Sequence, residues 1–370
     1  KYRALANISP SYDAVFGGVF YPGGTITSLS NRSVHWERSE QMDLGFDLGL
    51  LNNRFSLELD YYRRDTKDML VTVDVPASVG LTPVETNVGA VRNSGVDFTV
   101  KWEDSLKDFR YGIRLTGTTI KNEVISLGGK RIASGDIGAG KSVQMTEEGK
   151  PIKYFYGYNV IGIFQNEAQI KDYNERAAAA TGNAGQQYQN NVGPGDLIYE
   201  DVDGDGYITA NDRKDLGSPT PKFIGGLGIS ASWKGFDLSA IFAYSIGGYI
   251  YNRDITMILH NGSLEGRDWS TEILKRWTPD NRYTDVPALS TTSNNWNSAS
   301  TRFLQNNSYM RLKNLTLSYN LPKQWISKLS LSSVQVYVQG DNLFTIHRNQ
   351  GLDPEQGITG ITYYRYPAMR

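Results

Sequence analysis

Five residues near the middle of the chain have the types and the spacing of a calcium-binding loop. Residues 201–212 follow the EF-hand-type pattern Asp-x-Asp-x-Asp-Gly-Tyr-Ile-x-x-x-Asp, with carboxylates at positions 1, 3, 5 and 12 of the loop. Glycine stands at position 6, where the loop needs a sharp turn. Tyr207, at position 7, would contribute its backbone carbonyl oxygen, and Ile208 would be the apolar residue that anchors the loop.

Calcium is the ion that this donor set fits, because Ca²⁺ takes roughly 6–8 oxygen ligands and tolerates irregular geometry. We therefore expect the loop at residues 196–213 to hold one structural Ca²⁺, with Asp201, Asp203, Asp205, Tyr207 and Asp212 as its ligands. The alternative is a solvated acidic turn without an ion, since Asp and Gly are common in turns. The sequence shows no obvious flanking helices, which favours a structural role over a conformational sensor.

The remaining candidates for chemistry do not form a catalytic pattern. The chain has no cysteine, and His35, His260 and His347 lie far apart, without the spacing of a zinc site. No Gly-x-Ser-x-Gly nucleophile elbow occurs. We therefore predict no catalytic residues and no enzyme. Trp296, in an Asn/Trp/Ser-rich stretch at residues 293–307, is a weak candidate for stacking on a sugar ring, and packing within a loop is the alternative.

The composition favours an all-β protein that does not bind nucleic acid. Aromatic residues make up 12% of the chain, and 38 glycines with many Asn and Ser residues supply turns, a mixture that favours strands. The formal net charge of -1 gives no basic excess to neutralise a phosphate backbone. No apolar run reaches the roughly 18 residues of a membrane-spanning helix, but transmembrane β-strands need only about 9–11 residues with one apolar face.

Four hairpins are predicted from stretches in which apolar and polar residues alternate. In the first, apolar side chains at every second position from Met42 to Leu50 alternate with Asp and Gly, and a tight turn at residues 51–54 leads into a strand that begins at Phe55. The others run through residues 96–116, 223–245 and 315–339. Such alternation gives each strand one apolar and one polar face.

The connections between these strands alternate in length. Each hairpin turn is short, whereas the links between hairpins run through residues 64–90, 121–220 and 249–308. Outer-membrane β-barrels have short periplasmic turns, long extracellular loops and aromatic residues at both membrane interfaces. Several aromatic residues near predicted strand ends fit such girdles: Trp102, Trp233, Tyr244, Tyr249 and Tyr319. The alternative is a soluble β-sandwich or propeller, whose strands also alternate.

Local structure is also predicted inside the longest link. The run Arg176-Ala177-Ala178-Ala179-Ala180 is the best helix former of the link and predicts a short helix on the extracellular face. Glycines at residues 128–129 and 135–140 lack the context of a phosphate-binding loop, which favours a mobile loop there.

An ordered series of phrases resembles the SusC/RagA family of TonB-dependent transporters. Each phrase alone is weak evidence for the family. Together the phrases cover nearly the whole chain in the order in which that family has them. They are Glu37-Arg38-Ser39-Glu40-Gln41 with residues 44–47, residues 60–70 ending in Thr66-Lys67-Asp68-Met69-Leu70, residues 87–97, Pro194-Gly195-Asp196 with residues 201–223, Tyr309-Met310-Arg311-Leu312-Lys313-Asn314, and Gly340-Asp341-Asn342-Leu343-Phe344.

This resemblance implies an all-β, antiparallel transmembrane β-barrel of about 22 strands in the bacterial outer membrane, with long extracellular loops. It also implies a plug domain, energy supplied by TonB through an N-terminal region, and a SusD-like surface lipoprotein as partner. We expect residues 1–370 to be the C-terminal part of such a barrel, without the plug. Roughly eight to ten strand candidates would leave unpaired edges in lipid, so the chain should be a fragment or one piece of a longer or split polypeptide.

The expected function is the import of nutrient oligomers, either oligosaccharide or peptide, across the outer membrane. The alternative is a calcium-stabilised glycan-binding or adhesin β-protein of the cell surface. If the barrel prediction is right, five apolar side chains should contact membrane lipid: Leu44, Leu57, Phe98, Leu238 and Leu317. A structure that buried them in a closed core would exclude the barrel.

Overall fold

The chain folds mainly into β-strands. The computed structural model describes residues 8–10, 14–27, 30–73, 84–136, 141–260, 268–290, 298–326, 331–350 and 353–355. Its strands are β1 (Ile8–Ser9), β2 (Ala14–Phe16), β3 (Val19–Tyr21), β4 (Thr25–Ile26), β5 (Arg38–Leu50), β6 (Phe55–Val73), β7 (Val84–Leu106), β8 (Phe109–Thr119), β9 (Lys121–Leu127), β10 (Ile132–Asp136), β11 (Ser142–Thr146), β12 (Tyr154–Gly157), β13 (Val160–Ile163), β14 (Leu197–Tyr199), β15 (Lys214–Gly217), β16 (Phe223–Trp233), β17 (Phe236–Ile246), β18 (Tyr249–Tyr251), β19 (Leu304–Asn306), β20 (Tyr309–Asn320) and β21 (Gln335–His347).

Helices are few and short. They are α1 (Glu167–Thr181), α2 (Arg253–Ile258) and α3 (Lys323–Ile326), with 3₁₀ turns at Ala210–Asp212, Thr271–Lys275 and Thr301–Phe303. Among the described residues, no helix has the length and apolar character needed to cross a membrane.

One antiparallel sheet contains all the long strands. Its order is β21-β20-β17-β16-β8-β7-β6-β5, and β9 pairs with the outer part of β7. The sheet contains the four predicted hairpins, and the three with short turns are closed by residues with positive φ, such as Lys234 at 45° and Gly235 at 91° between β16 and β17. Turns with positive φ match the right-handed twist of the strands that they join.

The sheet has one apolar and one polar face, as the alternation predicts. Side chains in register across neighbouring strands form apolar rows, for example Leu48, Leu57, Val100, Leu115, Leu227, Phe242 and Leu312. Leu238 and Leu317 lie directly opposite each other on this face, 40% and 50% exposed, and Leu44 on the same face is 66% exposed. Leu57 and Phe98 on the same face are half-buried. None of the five is enclosed in a core, so the condition that would exclude a barrel is not met.

The height of the apolar face matches a membrane. On β17 it extends from Phe236 to Ile246, about 33 Å of strand at roughly 3.3 Å per residue. A strand tilt of about 40° reduces this to a band about 25 Å tall, the height of the apolar band of outer-membrane barrels. At its lower edge a row of large side chains runs through Phe109, Trp233, Phe236 and Tyr319, which form the aromatic girdle expected there.

Two expectations about the connections were wrong. The link at residues 64–90 is mostly strand, because β6 continues to Val73 and β7 begins at Val84. Tyr249 does not belong to an aromatic girdle. It lies in the short strand β18, which pairs with β19 through Tyr249 and Asn306 and is not part of the main sheet. Both β6 and β7 continue beyond the apolar band as polar strands. The alternation of apolar and polar residues therefore predicted where the band ends, and not where the strands end.

The two longest connections fold together into a cap, defined as residues 128–136, 141–222, 247–260, 268–290 and 298–308. One apolar core joins Val143 and Phe155 of the first connection to Tyr251, Ile255 and Phe303 of the second. A second core packs Ile163, Leu197 and Tyr199 against Trp277. Gly128 and Gly129 form a turn, and residues 135–136 end strand β10, which pairs with β11, whereas residues 137–140 of the predicted loop lie outside the described residues.

Candidate calcium loop and polar sheet face

The candidate calcium loop lies in the cap between β14 and β15. The predicted helix is also present and is longer than the alanine run, since α1 extends from Glu167 to Thr181. It begins at Asn166, whose side chain accepts a hydrogen bond from the N–H of Gln169, and ends at Gly182 in the left-handed conformation. The loop packs against this helix. Because α1 ends some twenty residues before the loop begins, it does not stand beside the loop in the sequence, where a flanking helix was expected.

Three of the predicted ligands come together. Carboxylate oxygens of Asp201, Asp203 and Asp205 lie within 4.8 Å of one another. Backbone N–H groups of Gly204 and Gly206 donate to the two oxygens of Asp201, at 2.8 and 2.9 Å. These three carboxylates form no ion pair with any residue that the structure describes, so their mutual repulsion is offset only by backbone dipoles.

Asp212 occupies a different position from the other three. Its side chain is fully buried, and its oxygens accept hydrogen bonds from the N–H groups of Val202, at 2.8 Å, and Thr209, at 2.6 Å. The Thr209 hydroxyl in turn accepts from the N–H of Asn211, at 3.0 Å. Asp212 therefore joins the first and last parts of the loop, and it lies outside the group formed by the other three carboxylates.

Apolar packing holds the loop on α1. Tyr207 and Ile208 pack against the core formed by Phe164, Ile170, Ala177, Tyr188 and Ile198, so Ile208 occupies the anchoring position that the sequence predicts. Gly206 has a φ of 92°, and a Cβ there would lie 2.7 Å from the Cβ of Ala180. Glycine is needed at this position both for the turn and for the close approach to the helix.

Ionisable groups beside the loop are held in defined states. The Lys214 ammonium, 2.5 Å from Glu200, and the Asn159 amide lower the pKa of the Glu200 carboxyl. Burial raises the pKa of Tyr188 to about 12, and its hydroxyl donates to the carbonyl of Tyr199 at 2.6 Å. The base of the loop is therefore fixed by a paired carboxylate and a neutral phenol at neutral pH.

The polar face of the main sheet contains a buried charge cluster that sequence reasoning missed. Arg311 on β20 has 1% of its side chain exposed and contacts Asp353 at 2.5 Å and Glu355 at 2.7 Å. Lys313 also contacts Glu355, at 2.6 Å. The segment after β21 is thereby tied to the inner wall of the sheet. The Arg-x-Lys and Asp-x-Glu pairs are visible in the sequence, but nothing local indicates that they meet across 42 positions.

The other sequence candidates do not form a site. Trp296 lies outside the described residues. The three histidines stay apart: His35 lies near Asp68, His260 stacks on Trp269, and His347 contacts the carbonyl of Asn349. Within the described ranges, Asp201, Asp203 and Asp205 make up the one group of potential metal ligands.

Comparison with known proteins gives consistent matches along the chain. Residues 3–343 match the family model described as TonB dependent receptor-like, beta-barrel. The chain is 31% identical over 385 residues to TonB-dependent receptor P3 of Formosa agariphila. This alignment covers 100% of the chain and 36% of the relative. It is 26% identical over 357 residues to TonB-dependent receptor SusC of Bacteroides thetaiotaomicron, with 95% of this chain and 33% of the relative covered.

A solved structure agrees with these matches. The structure of the RagAB peptide transporter superposes with a TM-score of 0.76 at 28% identity, covering 100% of this chain and 38% of that one. The chain thus spans little more than a third of the length of the relatives that it matches.

Proposed function

The chain belongs to the TonB-dependent receptor β-barrel family, and from that premise we propose that it is part of a transporter that imports nutrient oligomers across the outer membrane. Energy would come from TonB through a region outside residues 1–370. The imported oligomer would be an oligosaccharide or a peptide, delivered with a SusD-like lipoprotein at the cell surface. Family membership places the protein in the outer membrane, and the relatives are receptors and not enzymes.

The observation that carries the proposal is the two-faced sheet with its cap. An apolar face about 25 Å tall suits lipid, while the opposite face carries Asp, Glu, Arg and Thr side chains that suit a water-filled interior. The cap covers the end of this sheet from which the long connections arise, where an arriving ligand would first meet the protein. A structural neighbour is titled a peptide transporter, which supports the peptide class, and the oligosaccharide class stays in the proposal as the alternative that the sequence left open.

Uptake in cells tests this function. A strain that carries the intact transporter, expressed from its complete gene, should accumulate a labelled oligosaccharide or oligopeptide only when TonB is present. Deleting the gene for the neighbouring surface lipoprotein should reduce uptake at low substrate concentration. Equal uptake with and without TonB would refute the proposal.

We also propose that the cap loop holds one structural Ca²⁺. Asp201, Asp203 and Asp205 would supply carboxylate oxygens, and Tyr207 would supply its carbonyl. Asp212 at position 12 would complete the set through lone pairs left free by its two backbone hydrogen bonds. The ion would neutralise three carboxylates that otherwise repel one another, and would fix the loop on α1.

A further inference from the structure

A cavity of about 740 Å³ lies between the polar face of the sheet and the cap. Its wall includes Asp60 on β6 and Asp97 on β7, and its roof includes Tyr249 together with the Pro219-Thr220-Pro221 segment. Tyr309 and Glu355 close one side. A volume of this size holds an organic ligand and is far larger than a single ion requires.

The charged groups that line this cavity are all acidic. They are Asp60, Asp97 and Glu355, and among the residues that the structure describes no Lys, Arg or His lines the cavity. Glu355 is neutralised by Arg311 and Lys313. Asp60 and Asp97 form no ion pair with any residue that the structure describes, so these residues leave the two carboxylates unneutralised.

Asp60 and Asp97 are placed where their charges cost stability. They stand directly opposite each other in the β6–β7 register, and like charges at opposed positions of a sheet repel. The Oδ1 atom of Asp97 is shielded from solvent and accepts no hydrogen bond. A buried acceptor without a donor is unusual in folded proteins and indicates a missing partner.

Three tyrosines line the cavity: Tyr244, Tyr249 and Tyr309. Tyr249 is 38% exposed and offers its ring to an organic cation, whereas the ring of Tyr309 already lies 6.0 Å from the Arg311 guanidinium. Aromatic faces attract ammonium and guanidinium groups, and these groups carry the N–H donors that the Asp97 carboxylate lacks. Hydroxyls of Thr99 and Ser245 on the wall can bind the neutral parts of a polar oligomer.

We propose that this cavity binds the positively charged nitrogen of the imported oligomer, with Asp97 and Asp60 as the residues that select for it. The inference rests on the proposed transport function and narrows its substrate to oligomers that carry an ammonium or guanidinium group. Lysine- or arginine-containing peptides and amino-sugar oligosaccharides share this chemistry.

Binding to the intact transporter, purified in detergent from its complete gene, tests the proposal with two matched pairs of probes. One pair is a lysine-containing oligopeptide and the same peptide with acetylated lysines. The other is a glucosamine oligosaccharide and its N-acetylated form. In at least one pair we expect the free amine to bind about tenfold more tightly in calorimetric titration, because a hydrogen bond to a charged group is strengthened by its charge. The pair that shows the preference identifies the source of the cation.

Asp97→Asn and Asp60→Asn should each remove most of this preference while leaving binding of the neutral probe unchanged. The control is Glu103→Gln, which removes one negative charge from the same face, six residues and about 20 Å further along β7. That distance exceeds the screening length of roughly 8–10 Å at physiological salt, so the control should keep the preference.

Three results would overturn the inference. Equal affinity for the free and acetylated probes would do so, as would a preference that survives both Asp97→Asn and Asp60→Asn. If both variants lost thermal stability without any change in selectivity, the two carboxylates would form ion pairs with basic side chains of the protein itself and would not bind the ligand. TonB-dependent uptake of a neutral oligomer would leave the transport function intact in each case, whereas loss of TonB dependence would count against that function alone.

Discussion

At the scale of single residues, the same residue type serves two purposes in the cap loop. Asp201, Asp203 and Asp205 hold carboxylate oxygens within 4.8 Å of one another, whereas Asp212 lies apart from them, fully buried, and accepts from two backbone N–H groups. The first arrangement is unfavourable without a cation, and the second is favourable by itself. Substitutions at the two kinds of position should therefore differ in their dependence on calcium.

Replacing Asp201 and Asp205 together with Ala should abolish Ca²⁺ binding and increase protease cleavage between Gly193 and Pro221. Binding to the folded loop alone stabilises it by linkage, and the variant loses that contribution. Equilibrium dialysis and limited proteolysis at millimolar calcium would measure both effects. The control is Asp172→Ala with Glu175→Ala on the exposed side of α1, which removes the same charge. Unchanged cleavage in the loop variant would count against a bound ion.

Asp212→Asn should weaken the loop even when a chelator has removed calcium. The amide keeps one acceptor oxygen, so either Val202 or Thr209 loses its partner in a fully buried place. An unsatisfied buried donor costs about 1–3 kcal/mol. Hydrogen exchange at residues 200–213, measured with chelator present, should be faster than in the wild type. An effect that appears only in the presence of calcium would instead make Asp212 chiefly a ligand.

At the scale of elements, the two faces of each strand face different solvents. Ile229 and Ser230 are neighbours on β16, both exposed, and they point to opposite faces in a central part of the apolar band. Lipid cannot hydrate a charge, whereas a water-filled interior can. Adjacent positions thus provide a matched test of which face meets the membrane.

Ile229→Arg should destabilise the intact transporter by about 2–4 kcal/mol, and Ser230→Arg should change its stability little. The stabilities are compared by urea unfolding in lipid vesicles. Equal destabilisation by the two variants, or a larger effect at Ser230, would mean that the apolar face does not contact lipid.

The cap depends on close approach of its two connections. A Cβ on Gly157 would lie 2.3 Å from the carbonyl oxygen of Ala299, whereas a Cβ on Gly162 would meet only the Ile198 side chain, at 3.7 Å. Gly157→Ala should therefore push the connections apart and destabilise the cap by about 1–3 kcal/mol, while Gly162→Ala serves as the control. Hydrogen exchange in β12 and residues 298–303 reports the separation. Identical exchange in both variants would exclude tight packing at Gly157.

At the scale of the whole molecule, the sheet is open at β5 and β21 within the described residues. Unpaired strand edges cannot remain exposed in lipid, so the intact transporter must pair both edges with other strands. The chain covers little more than a third of its relatives, whose remaining length can supply those strands. The cap lies at one end of the long strands and the tight turns at the other, so the direction of the sheet in the membrane decides which of them faces outward.

Epitope tags should reveal this direction in intact cells. A tag inserted at residues 183–185, in the exposed turn after α1, should bind antibody without permeabilisation. A tag inserted at Asn52 and Asn53, in the turn between β5 and β6, should bind only after the outer membrane is opened. Surface labelling at the second position would reverse the assigned topology.

The sequence alone determined the fold class, the four hairpins and the division of the strands into an apolar and a polar face. These features follow from a period of two residues, which is a local property, and the family resemblance in ordered motifs added the outer-membrane barrel, which the family match confirms. The loop pattern at residues 201–212 predicted that four carboxylates would meet, and in the structure Asp201, Asp203 and Asp205 do so while Asp212 lies outside their group.

Only the tertiary structure decided which distant residues share an environment. Asp212 is buried because its oxygens accept hydrogen bonds from the N–H groups of Val202 and Thr209. Helix α1 contacts the loop because the chain between them folds back. Arg311 contacts Asp353 and Glu355, which lie more than 40 positions away. The cap forms because apolar side chains of one connection, such as Val143 and Phe155, are buried against Tyr251 and Phe303 of the other. Burial between segments far apart in sequence depends on how the strands place them, and no local pattern records that placement.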